Sequence, residues 1–124
     1  MRILIADDEK DIRIVFKAII CREFSDSHVD AVANGAEAVD TFQNGTYDVV
    51  LMDLYMPVKD GYGAYLEIQE ICRKENRKMP FMIFCTGYSA PEEIVEIAVD
   101  KTRYALLQKP MNCEMLINTI KALK

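Results

Sequence analysis

Asp7, Asp8, Asp53, Thr86 and Lys109 are the residues of this chain whose types and spacing specify chemistry. Each lies at or just past the end of a short apolar run. The runs are RILIA before Asp7 and Asp8, YDVVLM before Asp53, MPFMIFC before Thr86 and YALLQ before Lys109. If they are parallel strands of one sheet, their C-terminal ends lie together, where open α/β sheets bind ligands. Three carboxylates, a hydroxyl and an ammonium then share one crevice, which suits a hard divalent cation and a phosphoryl group.

Carboxylates packed within a few ångströms repel one another and hold raised pKa values unless a cation is present. Magnesium is the natural partner, because it takes oxygen ligands and binds one or two carboxylates together with waters and phosphate oxygens. Asp53 ends a buried strand, and a carboxylate can attack phosphorus to give a mixed anhydride. Positioning and charge stabilisation are most of what a protein contributes to such a transfer. Lys109 would act as a point charge. Thr86 would offer its hydroxyl, and Gly87 would let the backbone come close. Alone, Asp7-Asp8 reads equally well as a solvated loop, Thr86 as a strand end and Lys109 as a surface lysine. The functional reading rests on the set.

Elements of alternating period must position these residues. A first helix over Lys10 to Arg22 carries Ile12, Val15, Phe16, Ile19 and Ile20 on one face, the spacing of a buried stripe. The second strand, His28 to Ala33, is interrupted by Asp30, which fits a sheet edge. Asn34 and Glu37 form a capping-box-like start to a helix ending near Gly45. Strand three is Tyr47 to Met52. Asp60-Gly61 turns into a third helix with Ala64, Ile68, Ile71 and Cys72 inward. Strand four is Pro80 to Cys85. Ser89 and Glu92, with Pro91 in the first turn, predict a second capping box opening a helix with Ile94, Ile97 and Ala98 inward. Strand five is Tyr104 to Gln108. A last helix starts near Asn112 and turns Leu116, Ile120 and Leu123 inward. Strands alternating with helices of this length predict an α/β fold, a five-stranded parallel sheet with helices on both faces. With strand order 2-1-3-4-5, the reversal of order lies between strands one and three, at Asp7, Asp8 and Asp53.

The 124 residues suit one domain, and 51% of them are apolar, enough for a core without disulfides. A net charge of −5 argues against nucleic acid as a direct partner. Cys21, Cys72, Cys85 and Cys113 contain no C-x-x-C pair, and His28 is the single histidine, which argues against zinc. Reduced thiols point to the cytoplasm. The chain opens directly on a strand-like segment, and no apolar run approaches membrane-spanning length. His28 reads as a solvent-facing edge residue. Met52, Met56, Met79, Met82, Met111 and Met115 read as core or rim packing, Arg73 to Lys78 as a solvated helix end and loop, and Cys85 as a buried thiol.

The pieces I-A-D-D-E, M-D-L-Y-M-P-V-K-D-G, C-T-G-Y and Q-K-P run through the whole chain in one order. In these pieces the chain resembles the receiver domains of bacterial two-component response regulators. The resemblance implies a flavodoxin-like doubly wound sheet in which residues 1–124 form a single receiver domain. Asp53 would accept a phosphoryl group from a sensor histidine kinase or a phosphotransfer protein. Asp8, Asp53 and the backbone carbonyl of Tyr55 would bind Mg2+ directly, with Asp7 acting through water. Lys109 and Thr86 would hold the phosphoryl oxygens, and the Lys109–Pro110 peptide would be cis. The face of the fourth helix, fifth strand and last helix would control a downstream effector domain or protein and allow a phosphorylation-dependent dimer. No membrane contact is implied. Two departures stand out. Leu106 occupies the usual aromatic switch position, leaving Tyr88 and Tyr104 as candidate replacements. Tyr55 and Tyr88 flank the phosphorylation pocket, where large side chains would restrict an attacking water and slow dephosphorylation. A pseudo-receiver that binds partners without phosphate turnover is the alternative. A phosphatase with an aspartate nucleophile fits less well, because its nucleophile usually sits in D-x-D after the first strand.

Overall fold

Strand residues that alternate in direction, and helices with one apolar stripe each, can bury their apolar sides only by stacking in layers. The computed structural model describes residues 1–87, 89–110 and 112–123. Strands β1 (Arg2–Ala6), β2 (His28–Val32), β3 (Val49–Asp53), β4 (Phe81–Thr86) and β5 (Tyr104–Gln108) alternate with five helices. These are α1 (Lys10–Glu23), α2 (Gly35–Gln43), α3 (Gly61–Lys74), α4 (Glu92–Ile97) and α5 (Cys113–Lys121). The strands form one parallel sheet in the order β2-β1-β3-β4-β5. The expected fold class and strand order are therefore both found.

Alternation along the central strands divides the core in two. Leu4, Val50, Met52, Met82 and Phe84 point to the side covered by α2, α3 and α4, where Phe42, Ile68 and Ile94 meet them. Ile3, Ile5, Leu51 and Ile83 point to the side covered by α1 and α5, against Phe16, Ile20, Leu116 and Ile120. Each large apolar side chain so buried contributes roughly 1.5–3 kcal/mol. Strand β2 sits at the edge, and its interrupting Asp30 accepts a 2.5 Å hydrogen bond from the Tyr47 hydroxyl. His28 is exposed beside it, with Nε2 3.2 Å from Asp30 Oδ1.

Several expectations need correction. Val15 is exposed, next to exposed Ile14, because the stripe of α1 that meets the sheet is narrower than its apolar sequence. Met115 is likewise exposed on α5, while Met111 lies outside the described residues. Strands β3 and β4 each end one residue later than expected, since the ladder runs on to pair Asp53 with Cys85 and Thr86 with Gln108. The Ser89 capping box does not form. Pro91 is the N-cap of α4, with no side-chain hydrogen bond, and its carbonyl accepts the amides of Ile94 and Val95. Arg77 is not simply solvated. It stacks 4.5 Å from the Phe42 ring centroid and donates to the carbonyls of Phe42 and Gly45, closing the C-terminal end of α2.

The cap expected at Asn34 forms, and α3 and α5 carry side-chain caps as well. Asn34, Asp60 and Asn112 accept the amides of Glu37, Gly63 and Met115, an interaction worth typically ~1 kcal/mol each. Gly61 is required by close approach, because a Cβ there would run into the carbonyl oxygen of Asp53. Its amide instead donates to the Leu54 carbonyl at 3.0 Å, which folds the start of α3 onto the end of β3.

Val58, in the β3–α3 loop, has φ 69° and is 83% exposed. A β-branched residue in the left-handed region is strained, and here no burial compensates. Val58→Asn should raise stability by about 1 kcal/mol, or ~3–5 °C in Tm. Urea and thermal unfolding would check this, and an unchanged or lower midpoint would refute the strain argument.

Candidate functional site

Four strand ends deliver the site. Asp7 and Asp8 follow β1, Asp53 ends β3, Thr86 ends β4 and Lys109 follows β5. Parallel pairing sets these ends level. The Asp7 amide donates to the Val32 carbonyl, that of Leu54 to Cys85, and that of Lys109 to Thr86 at 2.7 Å. The Lys109–Pro110 peptide is cis, as expected.

The chain thus brings together all five residues singled out in the sequence. Asp7, Asp53 and Thr86 are buried, whereas Asp8 is exposed. Carboxylate oxygens of Asp7, Asp8 and Asp53 lie within 4.8 Å of one another. Lys109 Nζ donates to Asp7 Oδ2 at 2.9 Å and to Asp53 Oδ2 at 3.2 Å. Asp7 Oδ1 accepts the Glu9 amide at 2.9 Å, and Asp53 Oδ1 accepts the Tyr55 amide at 3.3 Å.

One ammonium, bonded to two of the three clustered carboxylates, leaves the cluster short of positive charge. Burial pushes the Asp53 carboxyl above its ordinary range; the Lys109 charge pulls it down without cancelling that, and neighbouring Asp7 adds to the rise. Burial alone would lower the Lys109 ammonium, but its bonds to Asp7 and Asp53 and their charges more than reverse this and hold it above the usual lysine range. The two directions agree physically: the lysine gains from two anions, whereas Asp53 has only a share of one cation. An all-oxygen donor set with unbalanced negative charge is what a hard divalent cation requires. The Cys85 thiol, buried beside Thr86, is pushed up by burial, so it is a packed thiol and not a reactive one.

Two contacts escaped the sequence reading. Arg13 Nη1 donates to the Asp7 carbonyl at 2.8 Å, bracing the β1–α1 loop from within α1. The Tyr55 hydroxyl donates to the Ser89 carbonyl at 2.6 Å, joining the β3–α3 and β4–α4 loops. No motif signals either, since both depend on where loops pass each other in space. Tyr88 lies outside the described residues. Tyr104 is a core residue. Its ring packs on Phe84, and its hydroxyl lies 3.0 Å from that of Tyr65. In this structure it is therefore an enclosed ring, packed inward beside Leu106's strand partner Phe84.

A hollow of about 1070 Å3 lies at the opposite end of the sheet, lined in part by Arg77, Met79, Phe81 and Arg103. It contains none of the five residues, and a metal ion needs converging ligands more than volume. No described helix is long and apolar enough to cross a membrane.

The chain is 32% identical over 120 residues to the transcriptional regulatory protein PdtaR of Mycobacterium tuberculosis, covering 97% of this chain and 55% of that protein. It is 29% identical to the chemotaxis protein CheY of Halobacterium salinarum, over 96% of this chain and 92% of that one. Among solved structures, the response regulator TrrA of Thermotoga maritima, described as a complex with Mg2+–BeF, superposes with a TM-score of 0.74. It shares 30% identity over 99% of this chain and 98% of that one. The family model for the response regulator receiver domain matches residues 3–121. With the level strand ends and the acidic pocket at Asp7, Asp8 and Asp53, this shows that the chain belongs to the receiver domains of two-component response regulators.

Proposed function

We propose that this domain is a phosphorelay switch that accepts a phosphoryl group on Asp53 from the phosphohistidine of a sensor histidine kinase or phosphotransfer protein. The observation that carries this reading is the Lys109 ammonium held between Asp7 and Asp53, with three carboxylates within 4.8 Å. Asp53 is the nucleophile, because it alone ends β3 beside both the lysine and the acidic cluster. Its oxygen forms the new O–P bond while the P–N bond to the donor imidazole breaks, and the imidazole leaves with the bonding pair. Lys109 and Thr86 receive the phosphoryl oxygens. Asp8, Asp53 and the carbonyl of Tyr55 would hold Mg2+ directly, and Asp7 would act through water. The metal would supply positive charge to the transferring oxygens. The TrrA complex supports this reading by analogy, as does the all-oxygen donor set.

The output surface in this reading is the α4–β5–α5 face. Helix α4 is only six residues long and lacks a side-chain cap, and Val95 and Val99 are exposed on and just after it. Two arrangements of such an element need differ by only a few kcal/mol for one bound group to shift the balance.

Treatment with acetyl phosphate and Mg2+ should add one phosphoryl group by mass spectrometry, and Asp53→Ala should abolish it. Asp8→Ala should weaken Mg2+ binding more than tenfold, as loss of a direct ligand would. Equal labelling of Asp53→Ala, or unchanged metal affinity in Asp8→Ala, would overturn these roles.

Lys109→Met leaves Asp53 and Asp7 without their shared cation, so the Asp53 carboxyl should rise further. A carboxyl whose folded pKa lies above its unfolded value adds stability below the unfolded pKa and loses it as pH rises through the folded one. In the metal-free protein, Lys109→Met should therefore be nearest wild-type stability in acid and fall progressively behind it toward neutral pH. Urea unfolding over a pH series tests this; a deficit that grows toward acid would contradict it.

A further inference from the structure

We propose that Tyr55 is a positioning residue that latches the β4–α4 loop. Its hydroxyl holds the Ser89 carbonyl in the arrangement seen here and releases it when a phosphoryl group occupies Asp53. The inference rests on the phosphoacceptor reading above and adds a side-chain role to a residue of which that reading uses only the backbone carbonyl.

The two loops that Tyr55 joins follow the neighbouring strands β3 and β4, whose ends carry Asp53 and Thr86. On one side, the Tyr55 amide donates to Asp53 Oδ1 at 3.3 Å, so its backbone is tied to the nucleophile. On the other, its hydroxyl reaches 34 residues along the chain to Ser89 at 2.6 Å. Ser89 would have capped α4 by its sequence; instead its carbonyl serves Tyr55, and α4 begins at Glu92 without a side-chain cap. At Gly87, between Thr86 and Ser89, a Cβ would meet nothing nearer than the Lys109 Cβ at 3.9 Å. The wall held by Tyr55 thus contains a residue with room around it and leads into a helix that lacks a side-chain cap.

Phosphoryl binding must disturb this wall. Lys109 Nζ now touches Asp53 Oδ2 directly at 3.2 Å. A phosphorus with its oxygens cannot enter between them unless the lysine and the carboxylate separate. Lys109 is joined through its amide to the Thr86 carbonyl at 2.7 Å, three residues before Ser89. On the other side of the phosphoryl position, the Tyr55 amide sits on Asp53 Oδ1 at 3.3 Å, so a shift of that carboxylate reaches Tyr55 and its hydroxyl bond to Ser89. A displacement of roughly 1 Å takes a 2.6 Å hydrogen bond outside bonding distance. A bond present in only one of two states opposes the ligand that selects the other, and its removal must tighten that ligand.

The test titrates beryllofluoride, in the presence of Mg2+, into wild type, Tyr55→Phe and Ser89→Ala. Tyr55→Phe keeps the ring and the backbone and loses only the hydroxyl. It should bind beryllofluoride about three- to tenfold more tightly, the range expected for one neutral hydrogen bond. Ser89→Ala keeps the accepting carbonyl and should match wild type. A bond that is merely structural in both states would lower the unfolding midpoint of Tyr55→Phe and leave its affinity unchanged; that result, or weaker binding, would overturn the latch. If wild type itself binds no beryllofluoride, the phosphoacceptor reading falls, and the latch with it.

Discussion

One ammonium shared between two buried carboxylates, with a third carboxylate at the rim, is the interaction on which the rest of the molecule depends. Lys109 and Asp7 are separated by 102 residues, and Lys109 and Asp53 by 56. No local structure can bring them together. The sheet does so because β1, β3 and β5 run parallel and their ends are set level by the backbone ladder. Without the lysine, the buried anions would face each other in a medium that screens them poorly. With it, they are held together but not neutralised, and that residual charge gives the site its appetite for a cation.

The loops around this cluster are positioned by polar ties, because they have little apolar area to bury. Arg13 reaches back from α1 to the Asp7 carbonyl, and the Glu9 amide fixes one Asp7 oxygen. Gly61 lies against the backbone of Asp53, and the Gly35 amide bonds the Lys59 carbonyl, so the starts of α2 and α3 are seated together on the β3–α3 loop. Val58 holds a strained backbone conformation in that same loop. Strain and unbalanced charge both lie at the functional end, and the cost is carried by the two dry apolar layers below it.

The aromatic cluster behind the site has a different character. Phe84, Tyr65 and Tyr104 pack edge-on and stacked, and the two tyrosine hydroxyls satisfy each other inside the core. Burial and mutual hydrogen bonding push the Tyr65 phenol above its usual range, as expected where ionisation would strand a charge. A ring so enclosed is a fixed wall. Leu106, the register partner of Phe84 on β5, joins that wall as an aliphatic contact. The α4 side of the molecule is also tied to the site through loops, where Tyr55 and Ser89 meet.

Much of this was legible in the sequence, for a physical reason. Apolar runs ending in Asp7-Asp8, Asp53, Thr86 and Lys109 are one-dimensional records of strands buried on both faces, and helical stripes such as Ala64, Ile68 and Cys72 record the layer above. The side-chain cap at Asn34 is local, so its residue type and its spacing to Glu37 were sufficient. What the sequence could not decide depends on the approach of segments remote from one another. Val15 fits the apolar period of α1, but only the width of the packed interface leaves it in solvent. Ser89 and Glu92 have capping spacing, but Pro91 is the N-cap of α4, and the Ser89 carbonyl accepts from Tyr55 on another loop. Arg77 reads as part of a solvated loop and Arg13 carries no motif, and only the folded chain aims them at backbone carbonyls. Residue type and period specified the layers and the acidic set; the tertiary structure decided which atoms meet, because loops carry no period from which their contacts can be read.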